Sequence, residues 1–592
     1  MPDSSLSADS FDPDVRSVMG ARWAVKAADE PRVQRLAERT GLSATAARCL
    51  ALRFDGDDLP TTDVLHPTLE HLHDPMSMRN MGAALERLDH TLRTGESVRV
   101  VTDYDVDGTT SSLILQAALR LRNPDLPISY HIPNRFAEGY GFSVAAAEKA
   151  ADEGVGLIVT ADIGVRDHAA VDAARARGVD VLVCDHHLPA GASVPEGATV
   201  LCPPQQGDTY PNRALAACGV SLKLAHGLLQ PHHRSWDLVL RSLLKLAAVG
   251  TVADMVSLGT LENRAIVTMG LDELSRGRHH AGLQELLRIS GIGERAVTAS
   301  DLGFRIGPRI NAAGRVADAK LVVELLNCRD PVRARQLAER MEGLNTERKD
   351  IQRRLVKEAL ERIDGEPTPW VLLAGNEADG WHRGVVGIVA ARVKDEVNRP
   401  TAVVSIQGDT AVGSVRSIPG VHAVAALDSA ADLLVKYGGH PMAAGFTVPT
   451  DKLDALRDRL SEWVEAHIDD ELFVPTTEID AVVPVGRLGE GLFQDLSRLG
   501  PYGQGNPRPL LWVPAVRSAR TRLIGRDQAI LKVWLERPGS EPLEAIWWSG
   551  APHKELFDAG PVDVLGHLSV NEYRGRRTLQ LEVRDVRPVA AA

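Results

Sequence analysis

Three short apolar runs, residues 98–101, 157–160 and 181–183, alternate with helix-favouring stretches such as residues 109–121 and 165–177. The runs are mainly apolar along their whole length, so each reads as a strand buried on both faces. The resulting order, βαβαβ, leaves few folds open: it implies a parallel sheet with helices on both sides. In open parallel sheets, ligands bind beyond the carboxyl ends of the strands, and polar residues there are the ones to inspect.

The first run leads into Asp103, Tyr104, Asp105, Val106, Asp107 and Gly108. The second leads into Ala161, Asp162, Ile163 and Gly164, and the third into Cys184, Asp185, His186 and His187. Three strand ends therefore deliver five Asp and two His to one edge. Carboxylates gathered so closely repel one another unless cations sit between them. Oxygen-rich ligation with one or two imidazoles suits Mn²⁺ or Mg²⁺ better than structural zinc. Asp-x-Asp-x-Asp-Gly also opens an EF-hand calcium loop, which needs a Glu at its twelfth position and a helix before it. The twelfth residue from Asp103 is Ile114, and a β-branched strand precedes the loop, so the calcium reading fails. Any one of these motifs alone is more often a turn former, a helix cap or a surface pair, as at His232–His233 or His279–His280. Their coincidence on consecutive strand ends is what points to a metal site.

The chain of 592 residues is long enough for three or four domains. Residues up to about Gly95 look helical. Residues 330–364 are charged and helix-favouring, with no Gly or Pro from Ala334 to Glu361 except Gly343, and read as one or two long helices between domains. A second α/β unit begins near Trp370, with strand-like residues 371–373 and 402–406 and a helix opening after Gly384. From about Thr476 short strands dominate, for example 530–534, 562–565 and 579–583, which suggests a small β-barrel of the oligonucleotide-binding type. Five cysteines form no CxxC pair, so neither a zinc knuckle nor a disulfide framework is indicated. The acidic segment 1–14 lacks the apolar core of a signal peptide, and no apolar run reaches the length of a membrane span. A cytoplasmic location is the default expectation. The net charge of −12 argues at first against a nucleic-acid partner. Carboxylates around cations are neutralised on metal binding, however. Basic residues also cluster locally, at Arg517, Arg520, Arg522 and Arg526 and at Arg574, Arg576 and Arg577.

The sequence resembles the DHH phosphoesterase family, and the order of its motifs is similar to that of the bacterial single-strand-specific exonucleases within it. The resemblance runs from about Trp23 to Arg587. Its markers are VTDYDVDGTTS at 101–111, HIPNRFAEGYG at 131–141, CDHH at 184–187, GTVADMVSL at 250–258, GPRINAAGR at 307–315, GWHRGVVGIVAARV at 380–393, SVRS at 414–417 and GGHPMAAGF at 438–446. It implies an α/β protein with a DHH parallel-sheet catalytic domain, a DHH-associated α/β domain joined by long helices, and a C-terminal OB-like β-barrel. The expected divisions are a helical segment at 1–95 packing on the catalytic domain, the catalytic domain at 96–325, connecting helices at 326–366, the associated domain at 367–467 and the barrel at 468–592.

The implied activity is a 5′-to-3′ exonuclease on single-stranded DNA, releasing 5′-mononucleotides by two-metal hydrolysis in recombination and repair. The resemblance carries roles to matching residues. Asp103, Asp105, Asp107, Asp162, His186 and Asp254 correspond to ligands of two divalent cations, Mn²⁺ or Mg²⁺, with Asp162 bridging. Asp254 is found only through the resemblance, since it follows an apolar run, 243–249, rather than a strand. Asp185 is expected to orient His186, and His187 to meet the scissile phosphate. Arg135 and Tyr140 match residues that contact the backbone and stack on a base, and Arg309, Asn311 and Arg315 match further phosphate contacts. Ser414 and Arg416 match residues that hold the 5′-terminal phosphate, and Gly438, Gly439 and His440 a loop that closes over the nucleotide. A helicase and single-strand-binding protein are the implied partners, with no membrane. Two rival readings keep the fold: a phosphodiesterase for short oligonucleotides, and a DNA-binding scaffold without catalysis. The long N-terminal segment and the barrel argue against the first, and the full set of ligands against the second.

Overall fold

The computed structural model describes residues 15–54, 61–189, 191, 193–276, 279–293, 295–573 and 575–589. The acidic segment 1–14 and Arg574 of the second basic cluster lie outside them. The chain divides into two compact units. One comprises Arg53–Glu347 and Leu499–Pro507; the other comprises Met1–Leu52, Arg348–Arg498 and Arg508–Ala592.

The first unit is built on a five-stranded parallel sheet. Its order across the sheet is Ile128–His131, Val98–Thr102, Leu157–Ala161, Asp180–Cys184 and Thr199–Leu201. Every residue of Val98–Thr102 and Leu157–Ala161 is buried, as expected of strands covered on both faces. The expected βαβαβ order omits Ile128–His131. That strand has four half-buried residues at the sheet edge and carries neither an apolar run nor an alternation. Its presence matters, because the chain crosses from Val98–Thr102 out to this edge and returns on the other side at Leu157–Ala161. The direction of winding therefore reverses between those two strands, and a crevice opens at such a switch point. Helix Val106–Arg122 is buried over most of its length, and Ala217–Leu229 and Trp236–Ala253 pack around it. Leu88, Val100, Ile114, Leu157, Leu182 and Leu222 are among the side chains of this core.

The second unit holds a mixed five-stranded sheet, in the order Lys436–His440, Ala443–Pro449, Thr410–Arg416, Thr401–Gln407, Val371–Asn376. Helix Val386–Val397 lies against it. It also holds a seven-stranded sheet formed from Ala481 onward. The N-terminal segment departs from the expectation of one helical piece packing on the catalytic domain. Strand Arg22–Val25 pairs in parallel with Thr476–Ile479, in the C-terminal unit. Trp23 explains the placement: it is buried with Ile479, Trp512 and Leu565, and its Nε1 donates to Asp585 Oδ2 at 3.0 Å. A strand of four residues is too short to show a period. Between the parallel sheet and the mixed sheet in sequence runs Pro331–Glu361, a single helix of 31 residues, which Gly343 does not interrupt.

Candidate metal centre

Strand Val98–Thr102 ends at buried Asp103, and Asp105 caps the helix that follows, its Oδ1 accepting from Gly108 N at 3.0 Å. The first turn of that helix carries Asp107, which is wholly buried. Its carboxylate accepts from Ala217 N at 2.7 Å and Cys218 N at 2.8 Å, the first turn of helix Ala217–Leu229. A helix N-terminus offers unpaired N–H groups and positive potential, and the Asp107 carboxyl is seated against them. The packing is close: a Cβ on Gly250 would lie 2.9 Å from Asp107 Oδ1 and 2.5 Å from Cys218 Sγ.

At the next strand end Asp162 adopts φ 65°, a left-handed conformation uncommon outside glycine. Strain of this kind costs about 1–3 kcal/mol and tends to persist where function requires it. Here it sets the Asp162 carboxylate 3.3 Å from His186 Nε2. Asp185 points elsewhere. It accepts from the backbone N–H groups of Val165, His186 and His187, and from His187 Nδ1 at 2.8 Å. It therefore orients the ring of His187 and holds only the backbone of His186, the histidine it was expected to orient. Asp254 is the C-cap of helix Trp236–Ala253 and stands 3.6 Å from His186 Nε2, which is also 3.9 Å from Asp107.

Three groups of ligand atoms result, each within 4.8 Å: Asp103 with Asp105 and Asp162, Asp107 with His186 and Asp254, and Asp162 with His186 and His187. Two observations show that these residues fit divalent cations. Nε2 of His186 and Oδ1 of Asp103 are buried without a hydrogen-bond partner, which is costly unless something else satisfies them. The carboxylates also destabilise one another. Burial and then Asp105 push Asp103 up to about 8, and burial and then Asp107 push Asp254 up to about 9. Asp107 and Asp162 are raised by burial first, Asp162 further by Asp105 and its other acidic neighbours. Burial lowers His186, keeping the imidazole neutral as a ligand must be. Asp185 is the exception: its hydrogen bond from His187 and the histidine charges outweigh burial and bring it to about 2.

The other expected site residues fall in both units. Tyr140 is 60% exposed, and its hydroxyl lies 3.4 Å from His187 Nε2, so the ring is available at the rim of the centre. Arg135 stacks on Tyr104, with Nε donating to its hydroxyl at 3.1 Å. Asn311 and Arg315 are four apart on helix Gly307–Val316, whose Gly314 packs on the Tyr104 carbonyl. Arg309 on the same helix is already engaged: Glu342 accepts from Nε at 2.6 Å and from Nη2 at 3.1 Å.

In the second unit, Ser414 and Arg416 lie on strand Thr410–Arg416, and Arg416 Nη1 donates to Ser414 Oγ at 3.0 Å. A Cβ on Gly387, in the first turn of helix Val386–Val397, would lie 3.0 Å from Ser414 Oγ and 3.2 Å from Arg416 Nη2. A hydroxyl, a guanidinium and a helix N-terminus thus meet at one corner. Gly438, Gly439 and His440 lie on the exposed strand Lys436–His440. Sequence inspection of the strand ends missed Asp254, because a helix C-cap carries no strand signal.

Comparison with known proteins gives three family matches: "DHH family, N-terminal domain" over residues 97–251, "DHHA1 domain" over 371–466 and "RecJ OB domain" over 479–585. The chain is 36% identical over 530 residues to the single-stranded-DNA-specific exonuclease RecJ of Salmonella typhimurium, covering 86% of this chain and 90% of that one. The crystal structure of RecJ in complex with Mn²⁺ from Thermus thermophilus is similar at a TM-score of 0.80 and 29% identity, covering 96% of this chain and 80% of that one. The Mg²⁺ complex of RecJ from the same organism is similar at a TM-score of 0.74 and 28% identity, covering 96% and 79%.

Proposed function

Because the chain belongs to the RecJ family of single-stranded-DNA-specific exonucleases, we propose that it shortens a DNA strand from the 5′ end, releasing 5′-mononucleotides with the help of two divalent cations. It is a metal-dependent hydrolase of single-stranded DNA. The observation that carries the mechanism is the buried His186 Nε2, without a partner and facing Asp107, Asp162 and Asp254. Asp103, Asp105, Asp107, Asp162, His186 and Asp254 would hold the cations, Mn²⁺ or Mg²⁺. When bound, these supply Lewis acidity, lowering the pKa of a water and offsetting charge on phosphate oxygens. Asp162, which belongs to two of the three ligand groups and stands 3.3 Å from His186 Nε2, would be the carboxylate shared by both cations.

The remaining residues bind and orient. Asp185 fixes His187 through Nδ1 and, against the effect of burial, raises its pKa. His187 is then a donor toward a phosphate oxygen from its other nitrogen. Tyr140 offers a face on which any base can stack, in keeping with sequence-independent binding of a single strand. Arg315 and Asn311 follow the backbone. A terminal phosphate carries more charge than a diester, so Arg416, Ser414 and the helix N-terminus at Gly387 favour the 5′ end. Gly438, Gly439 and His440 would close over that nucleotide. A helicase that separates strands and a single-strand-binding protein that covers them are the partners such an activity calls for, in the cytoplasm and in recombination and repair. Among the described residues, no helix is long and apolar enough to cross a membrane.

The test is an oligonucleotide with a 5′ phosphate and a 3′ fluorophore, incubated with protein and Mn²⁺ beside an EDTA control. The reading expects a 3′-labelled ladder that shortens progressively, release of 5′-mononucleotides, and no reaction in EDTA. An intact strand, or label released first as a mononucleotide, would refute it.

A further inference from the structure

Most of the ligands of the metal centre are held by the parallel sheet or by the helices that leave it. Asp254 is different. It caps the end of helix Trp236–Ala253, and Met255 after it turns through φ 58°, a left-handed conformation for a residue with a side chain. The chain then runs through Ser257, Leu258 and Gly259 to Thr260, the N-cap of helix Leu261–Ser275. The position of the Asp254 carboxylate therefore depends on what holds this turn.

A segment about 250 residues further along the sequence holds it. Leu499–Pro507 folds with the catalytic unit, although its neighbours on both sides in sequence belong to the other unit. Leu258 N donates to Gln504 O at 2.7 Å. Gly505, at φ +73°, lies so close that a Cβ would stand 2.3 Å from Ser257 Oγ and 3.3 Å from Gly259 N. A Cβ on Gly503 would stand 2.8 Å from Leu258 Cδ1. The segment is itself fixed by two wholly buried polar residues. Asn506 Nδ2 donates to Leu499 O at 2.9 Å and Pro501 O at 2.8 Å. Arg264, on the helix that begins just after the turn, donates from Nη2 to Leu499 O at 3.0 Å and Gly500 O at 2.6 Å. Burying a guanidinium is expensive, and carbonyl oxygens gathered around it offset that cost.

We propose that Leu499–Pro507 is a positioning segment for the metal centre: by clamping Ser257–Leu258–Gly259 it sets Asp254 against His186 and Asp107, and so governs the cation held by those three. The inference rests on the metal-centre reading. It separates the two cations, since Asp103, Asp105 and Asp162 are not attached to the clamped turn. It also makes a complete centre depend on residues within the stretch matched by the OB-domain family, while the DHH match ends at residue 251, before Asp254.

The test is Mn²⁺ binding to the full chain without DNA, followed by electron paramagnetic resonance, for the parent and Gly505→Ala. Loss of support around a metal ligand typically weakens binding about 10–100-fold. The expected result is one class of Mn²⁺ weakened at least about tenfold in Gly505→Ala and one class unchanged. If Gly505→Ala does not fold, Asn506→Ser, which removes the amide that holds Leu499 O and Pro501 O, gives the same reading. Parent-like binding of both classes in a folded variant, or equal weakening of both, would overturn the proposal. A parent that binds no Mn²⁺ would refute the metal-centre reading instead.

Discussion

Around Asp162 the chain buries carboxylates beside one another and leaves a histidine nitrogen without a partner. At Ser414 and Arg416, in the other unit, it sets a guanidinium beside a hydroxyl and the first turn of a helix. The first arrangement is unstable in itself, since Asp103, Asp107, Asp162 and Asp254 are pushed toward their neutral forms by burial and by acidic neighbours. The second is stable as it stands and still attracts an anion. On the reading proposed, one region is completed by cations and the other by phosphate. Arg309 shows why both halves must be read from structure: it is also an arginine expected at phosphate, yet Glu342 already occupies its guanidinium.

The comparison can be broken first at Asp162. Asp162→Ala removes a ligand shared by two groups, and kcat on single-stranded DNA should fall about a hundred- to a thousandfold, as when a principal electrostatic stabiliser is lost. Binding of the strand should survive, which a filter or fluorescence-anisotropy titration would check; near-normal turnover would separate this centre from the chemistry. A smaller effect is expected at the other region. Arg416→Ala removes charge-assisted hydrogen bonds of about 1.5–3 kcal/mol, so the preference for 5′-phosphorylated over unphosphorylated strands should drop about tenfold or more. Rates on the unphosphorylated strand should barely change. Equal loss on both substrates, measured as kcat/KM, would show that Arg416 does not read the end.

What the sequence disclosed follows from how local each signal is. Asp103, Asp105, Asp107, Asp162 and His186 were visible because a parallel sheet aligns its strand ends, and strands buried on both faces are plain in composition. Asp254 was visible only through resemblance, because it ends a helix and reaches the centre from behind. The edge strand Ile128–His131, which creates the reversal in strand order, was missed because half-buried residues show no apolar pattern. The pairing of Arg309 with Glu342 and the contact of Gln504 with Leu258 join residues distant in sequence, and nothing in either stretch announces its partner.

The central claim is that the buried carboxylates are ligands of two cations. Anomalous scattering from crystals grown with Mn²⁺ tests it most directly. The account predicts two peaks at the sheet edge, one beside Asp103, Asp105 and Asp162 and one beside Asp107, His186 and Asp254. A single peak, or Mn²⁺ bound only elsewhere while these carboxylates stay bare, would contradict it.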